Sequence, residues 1–184
     1  IADIEWARTL DDRLGVSFEE LKRKERAPAP SLPVMEKLLA DREDHIVYRE
    51  TPAPAGAADN PYGFQLDVPV NKFNMGEVYN MCIGRGTLTE EERFIINDHI
   101  VQTIIMLEQL PFPKHLKKVP EFAGGHHEKM DGTGYPKKLN QDDMSLPARI
   151  MAIADIFEAL TAADRPYKPP KKLSDSIKIM SFMK

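Results

Sequence analysis

Cysteine is nearly absent from this sequence: Cys82 is the single one in 184 residues. One thiol excludes an intrachain disulfide framework and any metal site built from several thiolates, and it points to a reducing, cytoplasmic compartment. Long apolar runs are missing too. No stretch approaches the roughly 18 residues needed to cross a bilayer, and the N-terminal text lacks the basic-then-apolar signal pattern, so membrane insertion by this segment is not expected. Nor is there an excess of positive charge: 25 Lys and Arg against 29 Asp and Glu leave a net charge of -4. A binder of nucleic-acid polymers would carry a basic stripe. A small anionic ligand stays compatible, because a metal ion or a few local cations can reverse the potential inside one pocket.

Helix breakers are plentiful but uneven. Pro52, Pro54, Gly56, Pro61, Gly63, Pro69 and Gly76 punctuate residues 51–76, which read as an irregular, extended connection. Alternation of Tyr62, Phe64, Leu66 and Val68 with smaller or polar residues allows a short strand or hairpin arm near 62–70. Ahead of it, residues 1–26 read as helical, with Ile1, Ile4, Leu10 and Leu14 apolar and Gly15 a stop signal. Ser17-Phe18-Glu19-Glu20 is a capping box that opens a second helix, and Leu32 to His45 is expected as a third. The text opens at Ile1 without an initiator Met, so a piece of a larger protein is expected.

From Thr87 the grammar is helical throughout. Thr89-Glu90-Glu91-Glu92 is another capping box, and an apolar stripe follows at Ile96, Ile100, Ile104 and Leu107, widened by Val101 and Ile105. Pro120 suits the first turn of a short helix. Pro147 starts a longer one, to about Ala163, with Ile150, Ile153, Ala154, Phe157 and Leu160 as its expected buried face. Ser174 is placed as the cap of a last helix that sends Ile177 and Met180 into the same core. The fold class is therefore all-α, in two parts: a helical and irregular segment over 1–85 and a helical region over 86–184.

The chemistry concentrates in Gly124-Gly125-His126-His127-Glu128-Lys129-Met130-Asp131-Gly132-Thr133-Gly134-Tyr135-Pro136. Adjacent histidines at a helix end can face one metal site through neutral imidazole nitrogens. The Asp-Gly and Gly-Tyr-Pro steps favour a tight loop. Asp155 is an acidic group within the apolar Ile153-Ala154-Asp155-Ile156-Phe157, and His99 sits among Ile96, Ile100 and Val101. A buried carboxylate needs a cation or several donors, whereas a solvent-facing one needs neither. Three His and one Asp on neighbouring helices make half of a polynuclear site with N and O ligands.

His126-His127-Glu128 with Asp131-Gly132-Thr133-Gly134-Tyr135-Pro136 resembles the signature that names the HD-GYP family, and Ala148 to Thr161 with Asp164-Arg165-Pro166-Tyr167-Lys168 resembles its next block. The resemblance implies an HD-type helical domain with two or three divalent ions, iron or manganese, that hydrolyses cyclic di-GMP. Carried over, His99, His126, His127 and Asp155 are the metal ligands, while Tyr135, Arg165 and Lys168 contact the substrate. The family's adjacent His-Asp pair is missing: His45, His99, His115, His126 and His127 are the five histidines, and none precedes an Asp. Two explanations stand. In the favoured one the pair lies upstream of residue 1, separated from the signature by a long insertion over 1–85, so that this segment alone holds metal incompletely. In the other the domain is a catalytically incomplete module for cyclic di-GMP sensing or protein interaction. A homo-oligomer is left open.

Overall fold

The computed structural model describes residues 3–84, 86–164 and 169–183. The architecture is mostly helical, with two small antiparallel two-stranded sheets. Two compact units are present: Ile1–Pro52 with Pro69–Ile95, and Ala53–Val68 with Ile96–Lys184.

In the first unit, β1 (Glu5–Arg8) pairs with β2 (Val34–Lys37), Glu5 opposite Lys37 and Arg8 opposite Val34. This corrects two expected helices, the first one up to Gly15 and the one over Leu32–His45. The apolar residues that suggested the first one, Ile4, Leu10 and Leu14, stay exposed, so no helical stripe is buried there. Distant ion pairs decide instead. Arg8, only 7% exposed, donates to the Glu36 carboxylate at 2.9 Å and to the Leu10 carbonyl at 2.6 Å. Lys24 reaches Asp12 at 2.8 Å and Asp44 at 3.2 Å. Its hydrogen bond holds the Asp12 carboxyl below its ordinary value against the opposing effect of burial. Lys24 closes α1 (Phe18–Lys24), which begins as expected: the Ser17 hydroxyl accepts from the Glu20 N–H at 3.2 Å.

The second sheet joins β3 (Ile46–Tyr48) to β4 (Asn71–Asn74), so the strand lies just beyond the Tyr62–Val68 arm and not within it. A short α2 (Glu77–Met81) precedes α3 (Glu90–Glu108). The Thr89 box is complete. Its hydroxyl accepts from the Glu92 N–H at 3.1 Å, and the Glu92 carboxylate accepts from the Thr89 N–H at 2.9 Å.

The second unit is built around α3. Ile100 and Val101 are fully buried and Ile104 is 3% exposed, packed with Ala55 and Phe64 and flanked by Leu66, Val68 and Tyr135. Each such side chain contributes about 1.5–3 kcal/mol by leaving water. The arm reads alternately because Phe64 is turned onto α3. Its backbone is held by Asn60, which donates to the Phe64 carbonyl at 2.8 Å and accepts from the Phe64 N–H at 3.1 Å. Gln65 N–H donates to the Pro136 carbonyl at 2.7 Å, tying the arm to the signature loop.

Among the described residues this unit also contains the α-helices α4 (Val119–Gly124), α5 (Leu146–Thr161) and α6 (Leu173–Ser181). The face of α5 expected to be buried is largely exposed, Ile150 at 56% and Ile153 at 57%, while Ala148 and Ala152 are the buried residues. Close approach explains the inversion: a Cβ on Gly125 would stand 2.9 Å from that of Ala148, so the neighbouring chain packs on the small-residue side of α5. On α6 likewise, Ser176 is fully buried and Ile177 is 57% exposed. Its N-cap is Lys172, and Ser174 lies inside the helix. No helix among the described residues is long and apolar enough to cross a membrane.

Candidate metal centre

Two glycines bring the histidines together. Gly124 ends α4 where a Cβ would stand 2.7 Å from the Ile104 side chain of α3, and Gly125 meets Ala148 of α5. Residues lacking a side chain at both points let this turn approach α3 and α5 at once. His126 and His127 follow immediately, and His99 lies on α3. One ligand atom from each of the three lies within 4.8 Å of those of the other two.

The proton positions follow from the partners. His99 Nδ1 lies 2.5 Å from the Ile96 carbonyl and His126 Nδ1 lies 2.6 Å from the Ala123 carbonyl. A carbonyl oxygen only accepts, so each Nδ1 carries a proton and Nε2 is the nitrogen left for a metal. This is the outer hydrogen bonding that orients a metal-ligating imidazole. His127 is held neutral, its pKa lowered to about 4, chiefly by burial and then by the neighbouring His126. Its Nε2 stands 3.1 Å from Nε2 of His99. Two nitrogens about 2.1 Å from one ion and at right angles would be about 3.0 Å apart, so His99 and His127 are spaced as two ligands of one divalent cation would be.

Asp155 stands at the edge of this group. Its Oδ2 is 3.9 Å from His127 Nδ1, and its side chain is 42% exposed. The neighbouring apolar residues of α5 are themselves exposed, so the burial argument that singled out this carboxylate does not apply, although proximity to His127 does. Tyr135 stacks on His127, with ring centroids 4.8 Å apart and planes 21° from parallel. Burial raises the Tyr135 pKa, with a smaller contribution from Asp155. Arg165 and Lys168 lie outside the described residues.

Glu128 is a residue whose part sequence reading missed. It is 4% exposed, and its two carboxylate oxygens accept from the backbone N–H of Lys137 at 2.6 Å and of Leu139 at 2.9 Å. The available signal was a glutamate followed by a glycine- and proline-rich loop, whose amides need acceptors that no helix or sheet supplies. Gly134 is equally constrained: a Cβ there would lie 2.3 Å from Lys129 N and 2.5 Å from Glu128 Cα. Asp131 accepts from Thr133 through both its N–H and its hydroxyl, at 3.0 and 2.6 Å, which closes the outer turn.

Fold and site together define a helical domain with a histidine cluster able to hold a metal ion. A family profile described as "HD domain" matches residues 33–184, starting within the segment read from the sequence as an insertion. The chain belongs to this family, and its paired histidines and Gly-Tyr-Pro loop set it in the HD-GYP branch. Among curated relatives it is similar to 3'3'-cGAMP-specific phosphodiesterase 3 of Vibrio cholerae, 43% identical over 96 residues, or 52% of this chain and 20% of that protein. A cyclic di-GMP phosphodiesterase of Thermotoga maritima is 37% identical over 93 residues, 50% of this chain and 25% of that one. The cyclic di-GMP phosphodiesterase response regulator RpfG of Xanthomonas campestris is 28% identical over 174 residues, 88% of this chain and 44% of the regulator. The chain thus spans less than half the length of each of these relatives.

Proposed function

We propose that this chain is part of a metal-dependent phosphodiesterase that hydrolyses a cyclic dinucleotide, cyclic di-GMP before 3'3'-cGAMP. The observation that carries the reading is the convergence of His99, His126 and His127, two of them with Nδ1 bonded to a carbonyl and Nε2 left to bind. His99, His126, His127 and Asp155 would hold part of a site for two or three divalent ions, iron or manganese. Such ions supply positive charge for the phosphoryl oxygens and acidify water near neutral pH. The chain's own groups do the rest. Tyr135 forms a wall beside His127, and Arg165 and Lys168 bind the dinucleotide phosphates and orient the scissile one.

The missing His-Asp pair, and the share of its relatives' length that this chain covers, support a second contribution to the site from an HD-containing part of the parent chain upstream of this sequence. Four ligands cannot clamp two ions well, so the isolated chain should bind metal weakly and turn over little substrate. The missing pair also favours one alternative, a catalytically incomplete module that binds the dinucleotide without cleaving it. Turnover of cyclic di-GMP and 3'3'-cGAMP by the whole protein, with bound metal measured alongside, separates the two. Loss of at least a hundredfold in His126→Ala and Asp155→Ala is expected. Full activity in those variants overturns the enzyme reading, and binding without turnover in the unmutated protein favours the module.

A further inference from the structure

We propose that Glu128 is a positioning residue whose buried carboxylate pins the following loop so that the Tyr135 ring is held flat against His127. The proposal rests on the reading of His127 as a metal ligand. Glu128 directly follows the two clustered histidines, and by position alone it could be a ligand itself. Its geometry argues otherwise: Oε1 and Oε2 each accept a backbone N–H from the far side of the loop, Lys137 and Leu139, and the residue is 4% exposed. Burying those oxygens costs free energy unless both bonds are made, so the loop cannot drift without leaving them unpaired.

The pinned segment has little freedom elsewhere. Gly134 is pressed against the Glu128 backbone, and the Tyr135 N–H donates to the His127 carbonyl at 3.2 Å. The loop therefore leaves at His127, returns to it at Tyr135, and is locked just beyond by Glu128. The consequence is the stacked contact at 4.8 Å between the two rings. Rotation of the His127 imidazole about its own bonds is restricted by that aromatic wall on one side, which keeps Nε2 directed toward His99. Outer groups that fix ligand orientation typically change metal affinity by roughly 10–100-fold when altered.

The test uses Glu128→Gln, which keeps the shape but places an amide NH2 against one of the two backbone N–H donors. In the whole protein, cobalt(II) titration reads affinity and the visible band pattern, and NMR reads nuclear Overhauser contacts between the Tyr135 and His127 rings. Expected results are a 10–100-fold weaker cobalt affinity, an altered band pattern and loss of the ring contacts, with unchanged far-ultraviolet dichroism. A merely structural tie would leave the ring contacts and the cobalt spectrum as they were, and that outcome overturns the proposal. If Glu128→Gln does not fold, amide exchange in the unmutated protein decides: protected Lys137 and Leu139 amides support the clamp, and exchange at open-loop rates overturns it. His126→Ala separates the two levels. Unchanged cobalt binding in it overturns the metal reading and this proposal together, whereas weakened binding there with an unaffected Glu128→Gln overturns this proposal alone.

Discussion

Acidification of the metal-free chain should cost stability through one imidazole. His127 has its pKa lowered from 6.5 to about 4. Above pH 6.5 the ring is neutral in both folded and unfolded chains and adds no pH dependence. Between 6.5 and about 4 the unfolded chain takes up a proton that the folded chain refuses, so the unfolded state is favoured progressively; below about 4 both are charged and the loss stops growing. At 1.36 kcal/mol per pH unit that interval corresponds to about 3 kcal/mol. The side chain keeps 21% exposure, so solvent screening reduces the expected loss to about 2 kcal/mol. Urea unfolding with chelator present, at pH 7 and at pH 4.5, should therefore show a drop that is smaller by about this amount in His127→Gln, which has nothing to protonate. Carboxylates elsewhere contribute to both proteins alike and cancel in the comparison. The reasoning fails if the two proteins lose stability in parallel, or if the His127 ring titrates at or above its ordinary value by NMR.

Two packing predictions use the same chain. Gly134→Ala sets a methyl 2.3 Å from Lys129 N and 2.5 Å from Glu128 Cα, both backbone atoms that cannot swing aside; a loss of about 3 kcal/mol, or roughly 6–12 °C in Tm, is expected by thermal melting, and a shift under 2 °C would refute the clash. Ile100→Ala should cost about 2–5 kcal/mol and Ile153→Ala, the same chemical change at 57% exposure, under about 1 kcal/mol. Equal urea midpoints for those two variants would show that the α5 face is covered in solution.

What could be read in advance was what is decided locally. Thr89 and Glu92 are three residues apart and satisfy each other's amides, so α3 begins where its four-letter text says it must. Ile100, Val101 and Ile104 fall on one side of that helix and are buried because 3.6 residues make a turn. β1 and β2 were illegible for the opposite reason. Their pairing is secured by Arg8 and Glu36, 28 residues apart, and no window along the chain contains both. Apolar spacing in residues 1–14 suggested a helix that has nothing to pack against. On α5 the periodicity gave the helix correctly but chose the wrong face, because the bulky residues were assumed to be the buried ones.

The candidate site divides in the same way. His126 and His127 could be named from a thirteen-residue motif, but what makes them useful is how near α3 and α5 come to the turn that carries them. That nearness is set by the residues just before them. Any side chain at Gly124 would push against Ile104, five positions along α3 from His99, and any at Gly125 would push against Ala148, seven positions before Asp155 on α5. Two methyl-sized gaps thus fix how far the paired histidines stand from the partners on each neighbouring helix. The Gly124-Gly125 step and the Glu128 clamp act at opposite ends of the same short segment, one closing it onto the helices and the other returning the loop onto His127. The histidine cluster is positioned by contacts in which none of its own side chains takes part, which is why the motif names the residues while the distances among them had to come from packing.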